Sequence, residues 1–328
     1  MQTDVLPIST AKSRGTAIEA AIARLRDGEV VGLPTETVYG LAANALDCDA
    51  VIKIFEAKER PRFDPLIVHL PELGWLDRVA IVHDNTRGLV DALNAEFWPG
   101  PLTLVLPRRE IVPEIVTAGL ETVAVRISAH PVFAEIVRGF GSPLAAPSAN
   151  RFGRISPTSA QHVLDELEGR IPLIVDGGPT VHGIESTIVA LRNGRIEVLR
   201  RGPITTEQLE SFGEVIVPPP SQHPEAPGQL PLHYAPSTRL ILLEDVSNFT
   251  IAPNQKCGLL AWSPVIESKP FELVRQLSAC QDLREAAANL FRYLRELDQA
   301  GLDLIAAEKL PNTGLGAAIN DRLERASR

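Results

Sequence analysis

Six short polar clusters hold most of the side chains in this sequence that could act on a substrate. They are Thr35-Glu36-Thr37 with Tyr39, Lys58-Glu59-Arg60 with Arg62, Arg126, Ser148 with Asn150, Ser186-Thr187, and Arg200-Arg201. Cations and hydroxyls dominate, and that combination suits a small anionic ligand held by a local basic cluster. Each cluster taken singly also has a plainer reading. Lys58, Arg60 and Arg62 could be a solvated helix terminus favoured by the helix dipole, and Ser148 and Asn150 could be turn formers. Arg126 stands between valine and isoleucine, so it either points inward to an anionic partner or faces solvent on a half-exposed sheet.

The familiar single motifs are missing. No glycine-rich turn ends in Gly-Lys-Ser or Gly-Lys-Thr, and neither H-E-x-x-H nor G-x-S-x-G occurs. Gly314-Leu315-Gly316 lacks the third glycine of a dinucleotide fingerprint and reads as the turn that starts a helix.

The elements that must position these clusters read as an α/β chain. Ile18, Ala21, Ile22 and Leu25 repeat at helical spacing and stop at Gly28; the apolar Glu29-Val30-Val31 then runs as a strand to Pro34, which has no N–H for a ladder. The polar loop between Gly32 and Gly40 thus lies at a strand end, where open α/β sheets hold ligands. An ordinary strand-to-loop corner would look the same.

Further on, Asp49 is expected to cap a helix carrying Val51, Ile54 and Phe55 that ends before Pro61, and Leu89, Val90, Leu93 and Phe97 mark another. A third helix spans Pro131 to Phe140. Strands are expected at 65–69, 102–106, 123–127, 143–146, 173–176, 186–191 and 196–199, with Asn193-Gly194 as a hairpin turn between the last two. Five prolines between Pro218 and Pro227 predict a stiff, extended spacer. Beyond it the α/β pattern restarts, with strands at 240–243, 257–261 and 304–306 and a long amphipathic helix at 282–299.

Composition sets outer bounds. A chain of 328 residues with 45% hydrophobic content suggests two cores. A net charge of −9 weighs against a protein that coats a phosphate backbone. Three widely spaced cysteines, Cys48, Cys257 and Cys280, indicate neither a zinc site nor a disulfide framework and fit a reducing cytosol. No signal-type or membrane-spanning apolar run occurs, so a cytoplasmic location is expected.

Taken together and in order, the motifs resemble a known family. Pro34-Thr35-Glu36-Thr37-Val38-Tyr39-Gly40-Leu41, Lys58-x-Arg60-Pro61 with Pro65-Leu66, Trp98-Pro99-Gly100-Pro101-Leu102-Thr103, Ala146-Pro147-Ser148-Ala149-Asn150 and Glu185-Ser186-Thr187 resemble the YrdC-type threonylcarbamoyl-AMP synthases over residues 16 to about 217. Pro227-Gly228 and His233-Tyr234-Ala235-Pro236 resemble the linker of the long, two-domain branch; Gln229-Leu230-Pro231 departs from it, where methionine and basic residues are commoner.

The resemblance implies a twisted, concave mixed-sheet domain with a basic cleft (1–217), a proline-rich linker acting as a lid (218–238), and a smaller Rossmann-like α/β domain (239–328). It also implies a reaction in which L-threonine, bicarbonate and ATP give threonylcarbamoyl-AMP and pyrophosphate, the first step of tRNA threonylcarbamoyladenosine formation. Carried over by motif, Thr37, His69, Arg126, Ala146 and Ser186 correspond to threonine-contacting positions. Arg60, Asp64, Thr122, Ser148, Ser156, Arg200 and Tyr234 correspond to nucleotide-contacting ones, and Lys58 and Asn150 complete the Lys-x-Arg and Ser-x-Asn pairs. Implied partners are ATP with Mg²⁺ held by its phosphates rather than by protein side chains, and proteins that pass the product on to tRNA, with direct tRNA binding weak or indirect.

The chemistry fits these residue types, because attack of a carbamate on the α-phosphorus needs alignment and charge neutralisation but no protein nucleophile. Two other readings stand beside it. Carbamoyl-adenylate-forming enzymes of hydrogenase maturation resemble this domain but carry acylphosphatase and zinc-finger modules not seen here. An RNA-binding module would use the concave sheet, against the acidic balance.

Overall fold

The computed structural model describes residues 2–219, 225–229, 233–264 and 271–328. Eleven strands form the first sheet: β1 (Asp4–Pro7), β2 (Val31–Leu33), β3 (Gly40–Asn44), β4 (Ile67–His69), β5 (Leu102–Pro107), β6 (Thr122–Arg126), β7 (Leu144–Ala145), β8 (Leu173–Asp176), β9 (Thr187–Arg192), β10 (Arg195–Arg200) and β11 (Val215–Ile216). Their spatial order is β1-β8-β2-β3-β7-β4-β6-β5-β9-β10-β11. Pairing is mixed, with β4 and β6 parallel, β6 and β5 antiparallel, and β5 and β9 parallel. The second sheet, β12 (Leu240–Leu243), β13 (Cys257–Ala261), β14 (Leu273–Gln276) and β15 (Leu304–Glu308), is all parallel in the order β12-β15-β13-β14.

Strand alternation decides what each face of the first sheet carries. Val68, Leu104, Val125 and Val189 point into a core closed by Val51, Ile54 and Phe55 of helix Cys48–Lys58, Val90, Leu93 and Phe97 of helix Asp84–Phe97, and Val163 and Leu167 of helix Ala160–Leu167. Their strand neighbours Ile67, Val105, Ala124, Ile188 and Ala190 form a separate cluster whose cover is Ala226 of the linker. Helices Ala11–Arg26 and Pro131–Phe140 cover Val31, Leu33 and Val175 at the β2–β8 end. The middle of that face is left to polar residues and the linker.

Several expectations change in detail. The loop after β2 is the tip of an antiparallel hairpin, Leu33 pairing with Gly40, and β3 was invisible because Gly-Leu-Ala-Ala-Asn has little β propensity. The cap of helix Cys48–Lys58 is Asp47, whose carboxylate accepts from the N–H groups of Asp49 and Ala50, and not Asp49. The spacer is not uniformly extended. Residues 225–228 turn, with Gly228 at φ +83°, because Gln229 Oε1 accepts the N–H groups of Glu225 at 2.7 Å and Ala226 at 3.1 Å. Pro220, Pro224, Leu230 and Pro231 lie outside the described residues. Gly314 does open a helix, Gly314–Ala326.

The two domains share apolar surface. Val38, Ile155, Ile184 and Tyr234 belong to the same cluster as Leu290, Phe291 and Leu294 of helix Leu283–Asp298. Asp298 accepts the N–H groups of Ser237 at 3.0 Å and Thr238 at 2.7 Å, which ties the linker's end to that helix. Among the described residues no helix is long and apolar enough to cross a membrane.

Gly183 sits where the domains meet, at φ +69°, and a Cβ there would lie 2.5 Å from Ala287 O and Ala288 Cα. Gly183→Ala should therefore destabilise the chain by about 1–3 kcal/mol and loosen the domain contact. Differential scanning calorimetry checks this: an unchanged unfolding profile would show that the contact is not as tight as the backbone places it.

Candidate active site

Arg126 ends β6 on the cleft face, directly across the ladder from His69 of β4. It is 3% exposed, so its charge needs partners. Nη2 donates to Glu36 Oε1 at 2.6 Å, Nη1 to Thr37 Oγ1 at 3.1 Å, and Nε to Gly100 O at 3.1 Å. The hairpin loop is shaped to deliver these acceptors. Thr35 Oγ1 donates to Val38 O at 2.5 Å and accepts the N–H groups of Thr37 and Val38, a tight polar turn that Pro34 leads into.

Glu36 also accepts from Ser128 Oγ at 2.5 Å and from Ala129 N–H at 3.1 Å. Burial pushes its carboxyl up, but Arg126 and these donors outweigh burial and hold it at about 2. His69, packed on Phe133 with ring centroids 4.7 Å apart, is pushed down to about 3 by burial and then by Arg126, so it is neutral near pH 7.

A second cationic group comes from the end of helix Cys48–Lys58. The chain leaves the helix through Glu59 at φ +54°. Lys58 Nζ then reaches back to donate to Ser148 O at 2.5 Å and to Asn150 O, which joins the Lys-x-Arg and Ser-x-Asn segments. Burial, reinforced by Arg60, lowers the Lys58 ammonium well below its ordinary range, against the pull of Asp64 and Glu166. Arg60 Nη2 donates to Pro65 O at 2.8 Å and lies 2.9 Å from Asp64 Oδ2 as a buried ion pair. Burial raises the Asp64 carboxyl even though Arg60, Lys58 and Arg200 pull it down.

The third group is built on β9 and β10. Arg200 Nε and Nη2 both reach Ser186, its carbonyl and its hydroxyl, at 3.0 Å each, and Nη1 donates to Pro227 O at 3.1 Å. Thr103 Oγ1 lies 2.8 Å from Ser186 Oγ. Tyr234 arrives from the linker at φ +63°, fully buried, stacked on Phe291 with centroids 5.4 Å apart and set at 4.1 Å against His233. A Cβ at Gly228 would lie 2.8 Å from Tyr234 Oη and 3.1 Å from Arg200 Cδ, so only glycine lets the linker pass there.

These groups converge on one cleft, lined from the hairpin loop, β4, β6, β10 and the linker. Of the residues expected from the sequence, Thr37, Arg60, His69, Arg126, Ala146, Ser148, Ser186, Arg200 and Tyr234 line it. Lys58, Asp64 and Asn150 stand behind the lining. Ser156 is buried, donating to Glu185 Oε1 at 2.5 Å, and Thr122 lies at the start of β6, away from the lining. Arg62 is exposed, and Arg201 faces a different cleft with Arg325 and Asp321.

Sequence reasoning missed Glu36 as the anion that Arg126 requires, although it stood in the loop. It also missed Glu185 as a lining residue and Arg322, fully buried, which donates to Glu185 Oε2 through Nε and Nη2 at 3.2 Å each. Nothing local marks Arg322, one of two arginines on an amphipathic helix. Among the described residues no three histidine, cysteine or carboxylate side chains gather to hold a metal ion. The cleft's own charges are mainly cationic, suited to a polyanion that brings its counter-ion with it.

The Glu36 shift fixes a pH dependence. A carboxyl held at about 2 against an ordinary 4.5 contributes stability above pH 4.5, on the order of 3 kcal/mol, and loses it as pH falls toward 2. Glu36→Gln should thus be less stable than wild type at pH 7, and the gap should narrow steadily between pH 4.5 and the lowest pH at which both fold. Denaturant titrations at several pH values check this; a gap independent of pH would mean that Glu36 is not held ionised by Arg126.

Comparison with known proteins agrees with this geometry. The family model for Sua5, YciO and YrdC, described as telomere recombination, matches residues 23–202, and one described as the threonylcarbamoyl-AMP synthase C-terminal domain matches 204–328. The chain is 40% identical to a threonylcarbamoyl-AMP synthase of Pyrococcus abyssi, covering 94% of each chain, and 41% identical to one of Bacillus subtilis, covering 94% of this chain and 92% of that one. A crystal structure of P. abyssi Sua5 complexed with L-threonine superposes with a TM-score of 0.89 at 37% identity, over 100% of this chain and 98% of that one. With both family models matched in order and relatives aligned over nearly their whole length, the chain belongs to the Sua5/YrdC family, in its long, two-domain branch.

Proposed function

We propose that this chain makes L-threonylcarbamoyl-AMP from L-threonine, bicarbonate and ATP, releasing pyrophosphate, as the first step of tRNA threonylcarbamoyladenosine modification. The observation that carries the reading is the division of the cleft. Arg126, with Thr37 and His69, stands on the Glu36 side, and Arg60, Arg200 and Tyr234 stand on the linker side, with Ala146 and Ser186 among the lining. Arg126 spends one N–H of each Nη on the protein and keeps a second on each, a two-pronged donor matched to the threonine carboxylate. Ala146 and Ser186 complete that pocket.

In this reading the threonine amine takes up bicarbonate with loss of water, giving a carbamate. A carbamate oxygen attacks the α-phosphorus, and the bond to the β-phosphate oxygen breaks as pyrophosphate leaves. Arg60 and Arg200 neutralise the charge that grows on the phosphates, with Ser148 and Tyr234 as hydroxyl donors. Lys58 acts through the carbonyls of Ser148 and Asn150, holding that loop in place, and Asp64 keeps Arg60 directed. Ser156 is then a positioning residue for the nucleotide side, acting through Glu185. Magnesium enters as part of the nucleotide substrate, coordinated by phosphate oxygens and water.

Pro227, Gly228, His233 and Tyr234 form the cleft's roof, so the linker serves as the lid that keeps water from the adenylate. The net charge of −9 favours transfer to tRNA by other proteins over tight tRNA binding, in the cytoplasm. No observation favours carbamoyl-adenylate or RNA-binding chemistry over this.

Pyrophosphate release should need threonine and bicarbonate together, because the attacking carbamate is made from both. Equal release with threonine omitted would refute the assignment. Arg60→Ala should lower kcat on the order of 10²-fold or more, the usual effect of removing a charge placed at developing phosphate charge. Steady-state turnover at the wild-type rate would reduce Arg60 to a structural ion-pair partner of Asp64.

A further inference from the structure

Glu185 is the carboxylate that an ATP site should not contain. It is 6% exposed, lines the cleft, and immediately precedes Ser186, the residue that Arg200 grips. An ionised carboxylate there would oppose a triphosphate at short range in a poorly screened setting. One Glu185 oxygen is taken by Ser156, a neutral donor. The other is taken by Arg322 through two N–H groups at 3.2 Å.

Arg322 belongs to helix Gly314–Ala326 of the second domain, is 0% exposed, and lies with its guanidinium carbon 5.6 Å from the centroid of the Tyr234 ring. Its remaining contacts are Ala318 O at 3.4 Å and the partly exposed Asp321 at 3.2 Å. The second domain therefore sends a cation across the boundary to Glu185, the carboxylate of the cleft lining, which has no arginine of its own domain bonded to it among the described residues. The buried carboxylates beside the lining, Glu36 and Asp64, have Arg126 and Arg60, and the second domain's Arg295 pairs with Glu166 away from the cleft.

We propose that Arg322 is a positioning residue for the nucleotide: the second domain supplies it to cancel Glu185 and to seat Tyr234, so that the first domain's cleft accepts ATP. This rests on the synthase reading only for the identity of the nucleotide. It gives the C-terminal domain a function in the reaction. The charge account makes the proposal specific. Breaking a buried ion pair by removing one partner leaves the other uncompensated, whereas removing both charges is close to neutral.

The test is titration of ATP with Mg²⁺ onto the full chain, read as Kd, beside a separate assay of threonylcarbamoyl-AMP synthesis. Arg322→Gln should weaken ATP binding about tenfold or more, as expected for a buried carboxylate left facing phosphates. Threonine Kd should change by less than about threefold. The double variant Glu185→Gln with Arg322→Gln should recover ATP binding to within about threefold of wild type. Arg322→Lys, which keeps the charge and guards against misfolding of the neutral variant, should also stay within about threefold.

Wild-type ATP affinity in Arg322→Gln would overturn the proposal. So would a double variant as weak as the single one, or an Arg322→Lys variant tenfold weaker than wild type, since either outcome makes Arg322 a packing element and not a charge partner. Should the wild type bind ATP yet form no threonylcarbamoyl-AMP, the synthase reading fails while the Kd comparison still decides the role of Arg322.

Discussion

A guanidinium buried in the middle of a sheet sets the terms for the rest of this molecule. Arg126 is 3% exposed and ends a strand whose preceding residues Val123, Ala124 and Val125 are apolar. Desolvating such a charge costs several kcal/mol unless partners surround it. The hairpin loop between β2 and β3 exists in its observed shape to provide them: Glu36 and Thr37 reach the two Nη groups, the Trp98–Gly100 turn offers Gly100 O to Nε, and Ser128 and Ala129 fix Glu36 from behind. Two separate segments thereby converge on one side chain, and a third fixes its anion. None of them could move far without stranding a charge.

That constraint also explains the architecture above the sheet. A face carrying Arg126 and His69, with Arg60 and Arg200 beside it, cannot be covered by an amphipathic helix in the way the opposite face is covered by helices Cys48–Lys58, Asp84–Phe97 and Ala160–Leu167. The chain covers it with an irregular segment instead, one whose backbone and small residues fit around the polar groups. Ala226 fills the apolar gap over Ile67, Val105, Ala124, Ile188 and Ala190, Gly228 passes where a Cβ would strike Tyr234, and Tyr234 itself takes a left-handed backbone. Such a conformation costs on the order of 1–3 kcal/mol in a non-glycine residue. Stacking on Phe291 offsets it, and Phe291 is rooted in the second domain's core.

Much of this was legible in the sequence wherever local physics and tertiary structure agree. Helix Pro131–Phe140 and strands β8, β12 and β13 follow directly from apolar spacing bounded by glycine or proline, and Asn193-Gly194 adopts the two positive φ values that a tight hairpin needs. β1, β3, β11 and β14 did not show themselves. They are short or small-residued, and exist because a neighbouring strand supplies a ladder. The site divided in the same way. Arg126 announced its need for an anion by standing in an apolar strand, and the anion was in the loop after the expected strand Glu29-Val30-Val31, in Glu36. The Glu185–Arg322 pair could not be read, since its two members are 137 residues apart and each sits among ordinary charged neighbours.

The cleft keeps a set of polar atoms that the protein itself does not satisfy. Oδ1 of Asp64, Nδ1 of His69 and of His233, Oδ1 of Asn150 and Oη of Tyr234 are buried without a hydrogen-bond partner among the described residues, while Oδ2 of Asp64 is held by Arg60. An unmet group of this kind costs roughly 1–3 kcal/mol, a serious burden against the roughly 5–15 kcal/mol that holds a typical domain folded. His233 and Tyr234 line the cleft from the linker and His69 lines it from the sheet, while Asp64 and Asn150 stand behind the lining. A ligand whose polar atoms reach His69 on the sheet and His233 and Tyr234 on the linker returns to both the hydrogen bonds each lacks, so binding favours the packed arrangement of linker on sheet.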